Sequence, residues 1–376
     1  MAASTPAARN LSSAKGCRLK HWGHGTGRSD GARGQRSTVR AGGMSHSTPP
    51  PDLVFRPVHP SRPDRVRGQR STMKACGVSR AQPEVTLLEL PEPTPPGPGQ
   101  ILVAVEAAGV GPWDVLEIDS SWDVGLRPPA ALGVEGAGSV LAVGPGVTRF
   151  SVGDRVLAHE APLPGGSGFW SERILINADH AAACPPDLDA AHAAALPVNG
   201  LTALQALEKL DLSRGQRLLI TNGAGATGAL AVQLAATQGI EVTATASATA
   251  AERLLGLGAR EVVDYHDPHW PTKVRDGFDA ALIIAAGTAV EALPLVRDGG
   301  RLCSLTSDAP AEERGITSWD LYIEPNGAQL AQLAEQAAAG TLKLAPEPLP
   351  LSEGPAAFTR VVAGRAGGKK IVLIPG

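Results

Sequence analysis

The octapeptide Thr221-Asn222-Gly223-Ala224-Gly225-Ala226-Thr227-Gly228 decides the fold of this chain. It carries the spacing GxGxxG, directly after an apolar run at 217–221 that reads as a strand, and it opens a helical pattern over 228–238 with apolar residues on one face. Each glycine has a physical job in such a turn. Gly223 permits the tight bend, Gly225 removes a side chain that would block a diphosphate, and Gly228 lets the helix pack closely on the strand. Ala224, Ala226 and Thr227 complete a main-chain cradle whose helix N-terminus offers free N–H groups and partial positive charge. The alternative is a glycine-rich turn that holds no ligand.

Outward from the cradle, strands and helical segments alternate. Strand patterns at 241–245, 261–265, 279–284 and 301–304 are separated by helical ones, and this alternation specifies a parallel, doubly wound sheet. Upstream, between Met73 and Leu196, short strands are punctuated by Gly and Pro every 8–15 residues, which indicates a β-rich unit. After Leu342 the Pro-broken texture returns and ends in a strand at 371–374. The expected organisation is therefore a nucleotide-binding unit at 197–335 inserted into a β-rich unit made of 73–196 and 336–376.

Composition supports a folded body with an unlike tail. Of 376 residues, 43% are apolar but only 3% aromatic, so Ala, Val, Leu and Ile must build the core. No apolar run approaches the length of a membrane span. Cys17, Cys76, Cys184 and Cys303 form no CxxC pair, which argues against a disulfide framework or cysteine-rich zinc lobe and fits a reducing cytoplasm. Residues 1–72 hold 13 Lys/Arg against 3 Asp/Glu, while the whole chain has a net charge of −3. This segment lacks periodicity and is poor in aliphatics, and Arg33-Gly34-Gln35-Arg36-Ser37-Thr38 recurs as Arg67-Gly68-Gln69-Arg70-Ser71-Thr72. Three readings are open: a disordered extension ahead of a functional start at Met73, an Arg-rich targeting peptide, or a nucleic-acid-binding arm. No aromatic platform accompanies the basic charge, so nucleic acid is not the expected partner.

The residue that ends the second strand of the α/β unit selects the cofactor. An acid there holds the ribose hydroxyls of NAD and repels the extra phosphate of NADP. Positions 242–251 contain no Asp or Glu; Ser247 stands in that place, and Arg253 follows one to two turns on, suited to a 2′-phosphate or to a solvated helix face. NADP is the expected cofactor.

From Met73 onward the chain resembles the zinc-independent quinone oxidoreductase branch of the medium-chain dehydrogenase/reductases. The residues that carry the likeness are Ala107-Ala108-Gly109-Val110-Gly111-Pro112-Trp113-Asp114, Gly153-Asp154-Arg155-Val156, Leu196-Pro197 leading to Gly200-Leu201-Thr202-Ala203, the cradle, Leu257-Gly258-Ala259 with Val263-Asp264-Tyr265, and Gly368-Lys369-Lys370-Ile371-Val372-Leu373. The resemblance implies a GroES-like domain around a Rossmann domain, an active site in the cleft between them, and a homodimer. It also implies that Thr202 lies near the nicotinamide and Tyr265 near the 2′-phosphate; the lysine that accompanies this tyrosine in the family is Ala250 here. Ala286-Gly287 and Thr306 follow the fourth and fifth strands, at the edge where such sheets bind ligands.

Where the alcohol dehydrogenase branch places metal ligands, this chain has Gly111, Val134 and Val198. None can bind zinc, Glu135 alone does not make a site, and His159, His180 and His192 form no ligand cluster. Reduction of a simple ketone gains several kcal/mol from a Lewis acid. A quinone or an α,β-unsaturated carbonyl spreads the incoming charge and needs less help, so these are the expected acceptors. An enoyl thioester on the same scaffold is the alternative, and a non-catalytic nucleotide-binding protein with a partner-binding tail is a third reading. Trp113, Trp170, Trp319 and Tyr322 are candidate walls of the acceptor slot, although large aromatics also serve as core. No catalytic residue is singled out.

Overall fold

The computed structural model describes residues 71–80 and 84–376. The basic extension and the expectations attached to residues 1–70 lie outside the described residues. The first strand, β1 (Thr72–Val78), begins one residue inside the segment expected to be unstructured. It pairs with β2 (Thr86–Pro91) and β4 (Ala130–Ala131) in a small antiparallel sheet. The larger β-rich sheet contains β3 (Gln100–Gly109), β5 (Glu135–Val143), β6 (Arg155–His159), β7 (Arg173–Asn177) and β8 (Ala181–Ala183). In β3 the odd positions 101, 103, 105 and 107 are buried while 100, 102, 104 and 106 are half-buried, the period-2 pattern of a strand with one face on a core. A short helix, α1 (Asp114–Ile118), follows β3 directly.

Two consecutive helices, α2 (Ala190–Ala195) and α3 (Pro197–Leu210), lead into the α/β half. Pro197 sits at the start of α3, where its missing N–H costs nothing. The second sheet is parallel throughout, with strands β9 (Arg217–Ile220), β10 (Glu241–Ala246), β11 (Glu261–Asp264), β12 (Phe278–Ile283), β13 (Val296–Ser304) and β14 (Thr317–Asp320). Their order is β11-β10-β9-β12-β13-β14, the doubly wound arrangement, and it reverses between β9 and β12. Helices α4 (Ala226–Thr237), α5 (Ala251–Gly256), α6 (Trp270–Lys273) and α7 (Ala289–Ala292) connect these strands.

One expectation is corrected here. The helix after the cradle does not have a single apolar face: residues 228–235 of α4 are all buried. It is enclosed on every side, which its alanine-rich sequence permits, and its polar member Gln233 is satisfied by exchanging hydrogen bonds with the backbone of Lys343 (3.0 and 2.7 Å).

After α8 (Gly327–Ala338) the chain leaves the α/β half. Strands β15 (Pro346–Pro350) and β16 (Lys370–Ile374) join the large β-rich sheet around α9 (Gly354–Val362). Val372 and Leu373 pair with Gly109 and Ala108 of β3, so the end of the chain meets the strand that enters α1.

Candidate active site

The cradle is built around three close approaches. Asn222, not Gly223, takes the left-handed conformation of the turn (φ 53°), a backbone region that asparagine tolerates. A Cβ at Gly223 would strike the Ala244 methyl of β10, so this glycine serves proximity to the neighbouring strand rather than the bend itself. A Cβ at Gly228 would strike the Asn222 carbonyl and Gly223, which keeps α4 tight against the turn. Gly225 differs: it is extended (φ −66°, ψ 166°), and its Cβ would meet only the Asn222 side chain at 3.0 Å.

No side chain caps α4, and the N–H groups of Ala226, Thr227 and Gly228 meet no acceptor among the described residues. These three unspent donors at a helix start need a partner, and an anion is a favourable one. Thr221, fully buried, fixes the switch point beneath: its Oγ1 accepts from Ile284 N (2.8 Å) and Ala285 N (3.2 Å) of the chain leaving β12. Thr227 Oγ1 donates to Asn199 Oδ1 (2.8 Å), tying α4 to α3.

The other residues singled out by sequence divide into groups. Ser247 ends β10 and bonds Thr249 through their hydroxyls (3.0 Å). Tyr265 is half exposed beyond β11, with its ring 4.2 Å from that of His266. Arg253 is exposed and reaches back across the cradle to donate to the Ala224 carbonyl (2.6 Å). Ser247 and Tyr265 follow the adjacent ends of β10 and β11, where Tyr265 N donates to the Ala246 carbonyl (3.3 Å). Ala224 is also approached from the β-rich side by Gly368, where a Cβ would press on its carbonyl. Thr202 spends its hydroxyl proton within α3, on the Val198 carbonyl (2.6 Å), leaving its oxygen to accept.

Ala286-Gly287 and Thr306 meet at a residue the sequence reading missed. The Asp308 carboxylate accepts from Gly287 N (2.7 Å), Ser304 Oγ (2.6 Å) and Thr306 Oγ1 (2.7 Å), so it organises this stretch of the edge. Burial works to raise its pKa, and the three donors outweigh it and hold the carboxyl below the usual range.

Among the aromatic candidates, Trp170 is corrected. It is fully buried in the β-rich core, its Nε1 donates to the Gly109 carbonyl (2.9 Å), and its ring meets Phe358 edge-on. A side chain so enclosed has no face for an acceptor. Trp319 is committed to the nucleotide-half core beneath the Lys209 ammonium (5.4 Å). Tyr322 is exposed past β14, with its hydroxyl 3.1 Å from Ser307 Oγ. Trp113 covers the floor of the cleft: a Cβ at Gly111 would run into its ring, and the Lys370 ammonium lies 4.4 Å from the ring centre.

That floor contains buried charge. Lys370 Nζ is 2.5 Å from Glu135 Oε1, and both side chains are almost wholly enclosed (6% and 0% exposed). Glu135 Oε2 accepts from Val198 N (2.7 Å), so the pair sits beside two of the three positions that lack metal-ligating atoms. His159 points Nδ1 at the Val134 carbonyl (3.1 Å), and burial lowers its pKa to about 4, leaving it neutral. Donor chemistry at Gly111, Val134 and Val198 does not fit a zinc ion, and among the described residues no group of three His, Cys, Asp or Glu is placed to hold one.

Residues 97–186 match the alcohol dehydrogenase GroES-like domain and residues 257–373 the zinc-binding dehydrogenase domain. The chain is 31% identical to the chloroplastic quinone-oxidoreductase homolog of Spinacia oleracea, over 74% of this chain and 90% of that protein. It belongs to the quinone oxidoreductase-like medium-chain dehydrogenase/reductases. Within this family it is also 30% identical to the NADPH-dependent alkenal/one oxidoreductase of Arabidopsis thaliana, over 73% of this chain and 72% of the other. The quinone oxidoreductase of Coxiella burnetii superposes with a TM-score of 0.74 at 26% identity, over 81% and 99% of the two chains. A segment of the pikromycin polyketide synthase component PikAII of Streptomyces venezuelae is 36% identical over 57% of this chain, which spans only 6% of that protein's length. As a member of this family the chain is an oxidoreductase that uses a nicotinamide cofactor. No described helix is long and apolar enough to cross a membrane.

Proposed function

We propose that this oxidoreductase takes NADPH and, without a metal ion, reduces a small quinone or α,β-unsaturated carbonyl. The observation that carries the reading is the uncapped α4 N-terminus behind Gly225, set near a cleft floor whose metal positions are Gly111, Val134 and Val198. The cradle fits a dinucleotide's diphosphate because its donors are unspent and Gly225 adds no side chain of its own, the nearest being the movable Asn222 amide. Ser247, Arg253 and Tyr265 would hold the adenosine end; no Asp or Glu closes β10 itself, and the adjacent Asp264 carboxylate of β11 is engaged by the Ala248 N–H. When bound, the cofactor supplies a hydride from its nicotinamide ring.

The chain's own residues do the rest. Thr202 and the Asp308-ordered edge at Gly287 and Thr306 orient, Trp113 and Tyr322 enclose, and the apolar floor at Val134 and Val198 excludes water. The relative named for NADPH and alkenal/one chemistry supports this choice. The 36% likeness to a polyketide synthase segment favours an enoyl thioester as the second acceptor class. The test is NADPH oxidation with a benzoquinone, a simple enone and an enoyl thioester, before and after exhaustive chelation. Turnover of the quinone or enone that survives chelation is expected; activity removed by phenanthroline and restored by zinc would refute the reading, and turnover of the thioester alone would replace it by the second.

A further inference from the structure

Asp114 and Glu117 lie three residues apart on α1 and therefore share one face. That face is buried: the two residues are 0% and 3% exposed. Asp114 Oδ2 accepts from Gly111 N (2.8 Å) and Glu117 Oε2 from Gly133 N (3.3 Å). The remaining oxygens, Asp114 Oδ1 and Glu117 Oε1, are buried and meet no donor among the described residues, while the two carboxyls are within hydrogen-bond reach of each other. Two adjacent enclosed carboxylates repel, and one proton between them relieves both the repulsion and the unpaired oxygens. Burial pushes Asp114 up to about 7, against lowering by Glu117, Gly111 N–H and Lys370, with Glu135 raising it slightly. Burial and the neighbouring Asp114 raise Glu117 well above the carboxylate range.

Glu117 also borders a cavity of about 80 Å³, whose other walls include Val78, Trp122, Leu126 and Pro128. At its outer end stand Ser120 and Asp123, both exposed. The space is on the scale of a few water molecules. Asp114, at the other end of the pair, bonds Gly111 and faces Lys370 in the cleft floor.

We propose that Asp114 and Glu117 hold a single proton between them, loaded from solvent through this cavity and spent on the acceptor during its reduction. In the balanced step, the cofactor's hydride and one proton from the pair add across the conjugated double bond. The pair is then one proton short and takes it back from water past Asp123. Its purpose rests on the reading given above, whereas the shared proton itself does not. Asp114 and Glu117 act as positioning residues for that proton, the acidic groups facing them being Glu135 and Asp123 and the basic one Lys370.

Infrared spectra of the full chain without cofactor, titrated from pH 5 to 9, test the pair directly. A protonated-carboxyl band should be present at pH 6, fade as pH rises, and change both its frequency and its titration midpoint in Asp114→Asn and in Glu117→Gln. Wild type should show an alkaline fall of kcat for an enone; Glu117→Gln should lower kcat about 10²-fold with little change in KM and remove that fall. Absence of the band, or a band with unchanged frequency and midpoint in both variants, would overturn the shared proton. A titrating band beside enone kinetics unchanged in Glu117→Gln would overturn its delivery to the acceptor. A titrating band with no acceptor turned over would refute the proposed function and, with it, the use of the proton.

Discussion

Gly225→Val separates the cradle's chemistry from its packing. The backbone at Gly225 is extended, a conformation valine adopts readily, and the new Cβ meets only the movable Asn222 side chain. Loss of a good N-cap residue costs about 1 kcal/mol or less. The branched methyls, however, stand over the free N–H groups of Ala226, Thr227 and Gly228. Hydrogen bonds to a charged group contribute about 1.5–3 kcal/mol each. Losing two of them weakens binding by about 3–6 kcal/mol, or roughly 10²- to 10⁴-fold in Kd. Calorimetric titration with NADPH reads the affinity, and a thermal melt of the same sample reads the fold. Gly228→Ala is the contrast: its Cβ collides with backbone at Asn222 and Gly223, so it should lower the melting temperature as well. A Gly225→Val protein that binds NADPH within threefold of wild type would remove the diphosphate from this turn.

Two further outcomes test the corners of the site. Arg253→Glu should weaken NADPH by about tenfold more than NADH, since it exchanges a cation for an anion beside Ser247; equal losses for the two cofactors would mean that Arg253 only braces the Ala224 carbonyl. Lys370→Met leaves Glu135 buried with Val198 N as its remaining partner and Glu135→Gln strands the ammonium, so each should cost about 3–5 kcal/mol in urea unfolding, while Lys370→Met with Glu135→Leu should cost less than either. Additive losses in the double variant would show that the two charges do not depend on each other.

The cofactor half was legible because its signals are local. A strand, three spaced glycines and a helix determine the cradle within a dozen residues, and alternating periods of 2 and 3.6 give the sheet its class. Even there the roles shifted: Asn222 makes the bend assigned to Gly223, because the crowding at Gly223 comes from Ala244, which local spacing cannot reveal. The cleft floor was hidden for the same reason. Lys370 and Glu135 meet only when β16 docks on β3, and Asp308 gains its role from a loop that follows a different strand. Trp170 was misplaced because a large aromatic in an aromatic-poor chain stands out by type, and type says nothing of direction; its indole turns inward to the Gly109 carbonyl. The Asp114–Glu117 spacing was readable, but a five-residue helix gives too weak a pattern to show that its polar face is the one enclosed.

The pairing of β16 with β3 also has a consequence for how the molecule assembles. β3 is made long before β16, and the entire nucleotide-binding half intervenes, so the larger β-rich sheet is completed by a contact of very high sequence separation. The parallel sheet, by contrast, draws all its strands from one continuous stretch. Refolding should therefore show the nucleotide half gaining structure first, with the ammonium of Lys370 arriving beneath Trp113 as the last event that makes the cleft whole.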